Sequence, residues 1–73
     1  KQTVSTVGSD MSDQFSIRNA GSGATVMTFF RSGYHGLNMG LDTDNVFRIG
    51  GYSDGANNYR LQSDTAGNLT IRG

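Results

Sequence analysis

Seventy-three residues make at most one thin domain, and a chain of this size buries only about 60% of the surface its unfolded form exposes. There is no cysteine and one histidine, which excludes a disulfide framework and a Cys/His zinc site. Six Lys and Arg balance six Asp, so the neutral chain is not steered toward nucleic acid or acidic lipid, and no apolar run reaches membrane-spanning length.

Along the chain an apolar–polar–apolar unit recurs, which places alternate side chains on opposite faces of a strand. Phe15-Ser16-Ile17, Phe47-Arg48-Ile49, Tyr59-Arg60-Leu61 and Leu69-Thr70-Ile71 are its instances, and 37–41 is a longer form. The pattern predicts strands over 2–7, 14–19, 24–31, 36–41, 45–50, 58–62 and 68–72. Only 9–13 offers a helical alternative, and it holds a single turn. Between the strands lie 20–23, 42–45, 53–58 and 64–68, rich in the Gly, Asn, Asp and Ser that suit turns. The spacing is irregular, so the units form a loose repeat of hairpin-sized pieces. The fold class expected is all-β, built of short antiparallel strands.

Fifteen apolar anchors carry the packing, each contributing about 1.5–3 kcal/mol when buried. Ordering each residue costs roughly 1–2 kcal/mol of backbone entropy. The sum lies near zero, and the sheet edges have no helix to cover them. Association of identical copies supplies both a core and covered edges. Phe15, Ile17, Phe29, Leu41, Phe47, Ile49, Leu61, Leu69 and Ile71 are the residues expected at the centre of such an assembly. Arg18, Arg48, Arg60 and Arg72 follow or separate apolar residues and so face away from them. They form a solvated outer face, or pair with Asp42, Asp44, Asp54 or Asp64 of a neighbouring chain.

Reactive constellations are absent from the pattern. The run 42–45 begins like a calcium loop, but Phe47 and Ser53 stand where that loop needs glycine and glutamate. It reads as a turn. The run 50–54 has one weak likeness to a calcium-binding nonapeptide, without its third glycine. His35 is read as a surface histidine in a turn, with a carboxylate partner as the sharper alternative. No catalysis, cofactor or metal is expected. Tyr34, His35, Tyr52, Asp54, Asn57 and Asn58 are of the types that contact sugars or proteins from loops.

Met27-Thr28-Phe29, Gly33-Tyr34, Gly40-Leu41-Asp42, Asn45 and Gly50-Gly51-Tyr52-Ser53 together resemble a stretch of bacteriophage tail-fibre and tail-spike proteins. The likeness covers 24–53, with Met39 and Tyr52 at positions where an aromatic and a tryptophan are usual. It implies a homotrimeric β fibre, prism-like or intertwined, carried on the virion and acting in host attachment. It also implies other tail proteins as partners and a host polysaccharide or outer-membrane protein as receptor, with no nucleic acid and no membrane insertion. Two rival readings accompany it, a receptor-binding tip and a capsule-depolymerising spike. The chain starts at Lys1 and ends on a strand-like segment, which suits a fragment of a longer chain.

Overall fold

The computed structural model describes residues 7–8 and 15–72. Five strands follow one another as β1 (Thr25–Arg31), β2 (His35–Leu41), β3 (Phe47–Gly50), β4 (Tyr59–Ser63) and β5 (Leu69–Ile71). They form one antiparallel sheet in sequence order, a simple meander. One 3₁₀ turn, Tyr52–Asp54, interrupts the path from β3 to β4. The chain is therefore all-β, as the alternation predicts.

Local chemistry explains each reversal. Tyr34 N–H donates to the Arg31 carbonyl at 2.9 Å and closes the β1–β2 turn. The β2–β3 and β4–β5 turns share one design. Asp42 N–H donates to the Val46 carbonyl and Asp64 N–H to the Asn68 carbonyl, both at 3.0 Å. Each turn places its left-handed residue at the same point, Asn45 at φ 66° and Gly67 at φ 90°. Those are the residue types that tolerate this conformation, and the arrangement is the three-residue hairpin loop with a bulge. Each leading aspartate also takes backbone N–H groups on its side chain, from Thr43 in the first loop and from Ala66 and Asn68 in the second.

Four of the expected strands differ from β1, β2, β4 and β5 by a residue or so at their ends, as strand boundaries commonly do. Expected strand 45–50 loses its first two residues because Asn45 and Val46 close the turn. The expected strand over 14–19 does not form: 15–19 have no strand pairing. The Asn19 side chain accepts the Gly21 N–H at 2.8 Å and donates to the Ala24 carbonyl at 2.9 Å. That side-chain turn bends the chain before it can run alongside β1. Alternation alone does not make a strand; an edge must be in reach. The expected strand over 2–7 and the helical alternative over 9–13 lie outside the described residues, apart from Val7 in a turn with Gly8.

The sheet is a single layer. Among the described residues no hydrophobic side chain is buried, and only Gly36, Gly50 and Gly51 fall in that class. Cross-strand register sorts the side chains into two unlike faces. One carries Met27, Phe29, Leu37, Met39, Leu41, Phe47, Ile49, Leu61, Leu69 and Ile71. The other carries Thr28, Asn38, Gly40, Arg48, Gln62 and Thr70, with Val26 and Phe30 at the β1 margin.

Candidate functional site

Two features stand out, the uncovered apolar face and a polar cluster at one end of the sheet. On the apolar face a hollow of about 290 Å³ is lined by Thr25, Met27, Met39, Gly40, Leu41 and Phe47, and Ile17 reaches into it from the preceding connection. Of the nine residues expected at the centre of an assembly, Phe29, Leu41, Phe47, Ile49, Leu61, Leu69 and Ile71 share this face. Ile17 joins them from outside the sheet. Phe15 lies apart, 81% exposed and outside any strand. The sequence inventory gave Met27 no place and left Met39 and Leu37 out of the centre; strand register supplies all three.

The polar cluster gathers three of the six loop candidates. Arg60 clasps the Asp54 carboxylate with two hydrogen bonds, Nε to Oδ2 at 2.6 Å and Nη2 to Oδ1 at 2.9 Å. His35 Nε2 lies 3.6 Å from Asp54 Oδ1. Asn58 donates to the Asp54 carbonyl at 2.9 Å and accepts from Arg72 Nη1 at 3.1 Å. Asp54 is the hub, its side chain only 9% exposed. The Arg60 guanidinium holds the Asp54 carboxyl below the usual carboxylate range against the opposing pull of desolvation. His35 is the first residue of β2 and not a turn residue.

The other candidates serve the scaffold or stand apart. The Tyr52 ring lies over Gly36, where a side chain would collide with it, and sits 5.5 Å from Phe30. Ser53 Oγ accepts the Gly36 N–H at 2.8 Å, so Gly36 seats the whole 3₁₀ turn on the sheet. Tyr34 is exposed beneath the Arg31 guanidinium, 4.3 Å from its ring centre. Asn57 occupies an exposed turn.

Two of the arginines find aspartate partners within the chain. Arg48 binds Asp42 Oδ2 at 2.7 Å and Asp44 at 2.9 Å, and also Gln62 at 2.7 Å, all within one chain. Arg60 is taken by Asp54, and the Asp64 carboxylate by its own loop. The aspartates bound by Arg48 and Arg60 lie four to six residues away because hairpins fold the turns back beside the strands. Arg48 also keeps Asp44 low, and the loop N–H of Asn68 does the same for Asp64.

Three depressed carboxylates give a signed expectation. Their stabilising contribution is complete above the ordinary carboxylate value of 3.8 and is lost as pH falls through their lowered folded values. The melting temperature should stay level from neutral pH to about 4 and fall below it. Arg60→Gln frees Asp54, so its acid slope should be shallower; equal slopes would show that the clasp adds nothing.

Beside the cluster, on the polar face, a groove of about 400 Å³ is walled by Tyr52, Tyr59, Asn38 and Arg48 over Gly40 and Gly51. Arg48 stands 4.9 Å from the Tyr59 ring centre. Among the described residues no group of three or more His, Cys, Asp or Glu is placed to hold a metal ion. No protein-family model matches the chain, and neither does any curated protein or solved structure.

Proposed function

We propose that this chain is a structural segment of a homotrimeric phage tail fibre, acting in attachment to the host cell as part of the virion. The observation that carries the reading is the uncovered apolar face. Among the described residues, a single-layer sheet carries ten apolar side chains on one side and buries none of them. Covering that face with the same face of identical chains supplies the missing layer, and the neutral net charge does not oppose it. The motif likeness over 24–53 supplies the biological setting, with other tail proteins as partners. Sedimentation equilibrium at micromolar concentration should return three times the 7.8 kDa chain mass. A folded species at the single-chain mass would overturn the proposal.

One observation favours a second reading, a receptor-binding tip that holds host polysaccharide. The groove on the polar face presents two tyrosine rings and the Asn38 amide, groups that suit a hydroxylated ring. A glycan array separates the readings: specific capture that disappears in Tyr52→Ala would favour the tip.

A further inference from the structure

The sequence holds one aspartate followed directly by glycine, Asp54–Gly55, and no asparagine–glycine pair. Such a junction is the aspartyl bond most prone to rearrange, because glycine neither shields its amide nitrogen nor restricts the backbone. The fold sets this junction at the hub of the polar cluster, where Gly55 has φ 106° and ψ 149°. All four backbone polar groups of the pair are bonded. Asp54 N–H donates to the Gly51 carbonyl and Gly55 N–H to the Tyr52 carbonyl, both at 3.0 Å. The Asp54 carbonyl accepts from the Asn58 side chain at 2.9 Å, and the Gly55 carbonyl from the Asn58 N–H at 3.0 Å.

We infer that Asp54–Gly55 is a self-modification site, which converts to isoaspartate when the 3₁₀ turn opens and is restrained by the Arg60 clasp. In the first step the Gly55 amide nitrogen bonds to Asp54 Cγ. The amide proton and one proton from solvent leave with a carboxylate oxygen as water, and a five-membered succinimide remains. Water then adds to the ring. Opening at Cγ restores aspartate, whereas opening at the former main-chain carbonyl routes the chain through Cβ and Cγ and frees that carbonyl as a carboxylate. One water leaves and one returns, so no other reactant is needed.

Three features of the closed turn oppose the first step. Arg60 holds both carboxylate oxygens, so Cγ is not free to swing toward the next nitrogen. The same guanidinium favours the ionised carboxylate, a poorer electrophile than the neutral acid. The Gly55 N–H is committed to the Tyr52 carbonyl, three residues back along the 3₁₀ turn. The rate therefore follows the population in which this turn is open. Conversion also has a consequence for the sheet. An extra main-chain carbon between Ser53 and Gly55 undoes the turn that seats Tyr52 on Gly36, and Tyr52 is one wall of the polar-face groove. None of this depends on how the chain assembles.

The test is incubation for weeks at neutral pH and physiological temperature, with native protein in urea as the unrestrained reference. Peptide mapping then resolves isoaspartate at position 54, and circular dichroism reports the sheet. The native chain should convert far more slowly than it does in urea. Arg60→Gln should convert roughly tenfold faster than native, the effect of losing one charge-assisted contact on a local opening. Arg48→Gln loses the other clasp, with Asp42 and Asp44, and should convert at the native rate. A native rate equal to that in urea would overturn the inference, and this comparison needs no variant to fold. Equal rates in native and Arg60→Gln would overturn it too. So would an equal rise in Arg48→Gln, since opening would then be global and the clasp on Asp54 without a part in it.

Discussion

Ile49→Asp should dissolve the assembly. Ile49 is in β3, the middle strand of five, and stands on the apolar face between Met39 and Leu61. Burying Ile there contributes about 1.5–3 kcal/mol per chain, and an unpaired carboxylate at a covered position costs several more. In the proposed trimer three such charges would lie close together. The variant is then expected to sediment as single chains where the native protein gives the trimer mass, and to lose its cooperative melt. Thr70→Asp, on the opposite face and exposed, should change neither property. The native melting temperature should also rise with protein concentration, because the proposed trimer makes folding and association one equilibrium. Native mass and melting behaviour in Ile49→Asp would show that the apolar face is not an interface.

The second large effect comes from two glycines. A Cβ on Gly40 would collide with the Thr25 carbonyl oxygen and come within 2.8 Å of Val26 Cα, so β1 and β2 would have to part. At Gly50 the backbone has φ 144°, and a Cβ would lie 2.6 Å from the Asn58 carbonyl oxygen and 2.7 Å from Tyr59 Cα. The register between β3 and β4 shifts at this point, which brings the two backbones together. Backbone does not swing aside as a side chain does. Gly40→Ala and Gly50→Ala should each lower unfolding stability in urea by about 3 kcal/mol, the first from overpacking alone and the second from overpacking together with its positive φ, each effect about 1–3 kcal/mol. Gly67→Ala is the comparison, with a positive φ and open space around it. Its loss should be about 1–2 kcal/mol, the conformational part alone. Equal losses at positions 40, 50 and 67 would contradict the crowding described here.

Both expectations concern a molecule whose two faces have different tasks. Among the described residues only Ile17 reaches over the apolar face, and no hydrophobic side chain is buried. The polar face and the turns at the ends of the sheet complete their own bonds: Arg48 with Asp42 and Asp44, Arg60 with Asp54, Asp64 with its loop. A surface that satisfies itself is free to face water, and the apolar face is the one that the proposed assembly would cover.

Much of the fold was legible beforehand. Alternation located all five strands, since period-two patterning and Gly/Asx turns are local signals that need no distant partner. The turn over 42–45 was readable for the same reason, from the side chains that take up their own backbone N–H groups. The segment 15–19 was not, because a strand exists only where another edge pairs with it. The candidate site was less legible than the fold. Tyr52 and Asp54 are loop residue types that suit ligand contact, yet one seats the 3₁₀ turn on Gly36 and the other anchors Arg60. Arg60, Arg72, Ser53 and Phe30 complete that end of the sheet, and nothing in their sequence spacing marks them.

By itself the sequence determined an all-β chain with too little apolar mass for a core, because composition and two-residue periodicity are written in the residues. Tertiary structure decided the rest. Register aligned Met27, Met39, Ile49, Leu61 and Ile71 into one row across five strands, and a slip of one residue in any strand would have turned its members to the other face. Hairpin closure likewise brought Arg48 and Arg60 to aspartates of their own chain, since turns place residues a few positions apart at contact distance.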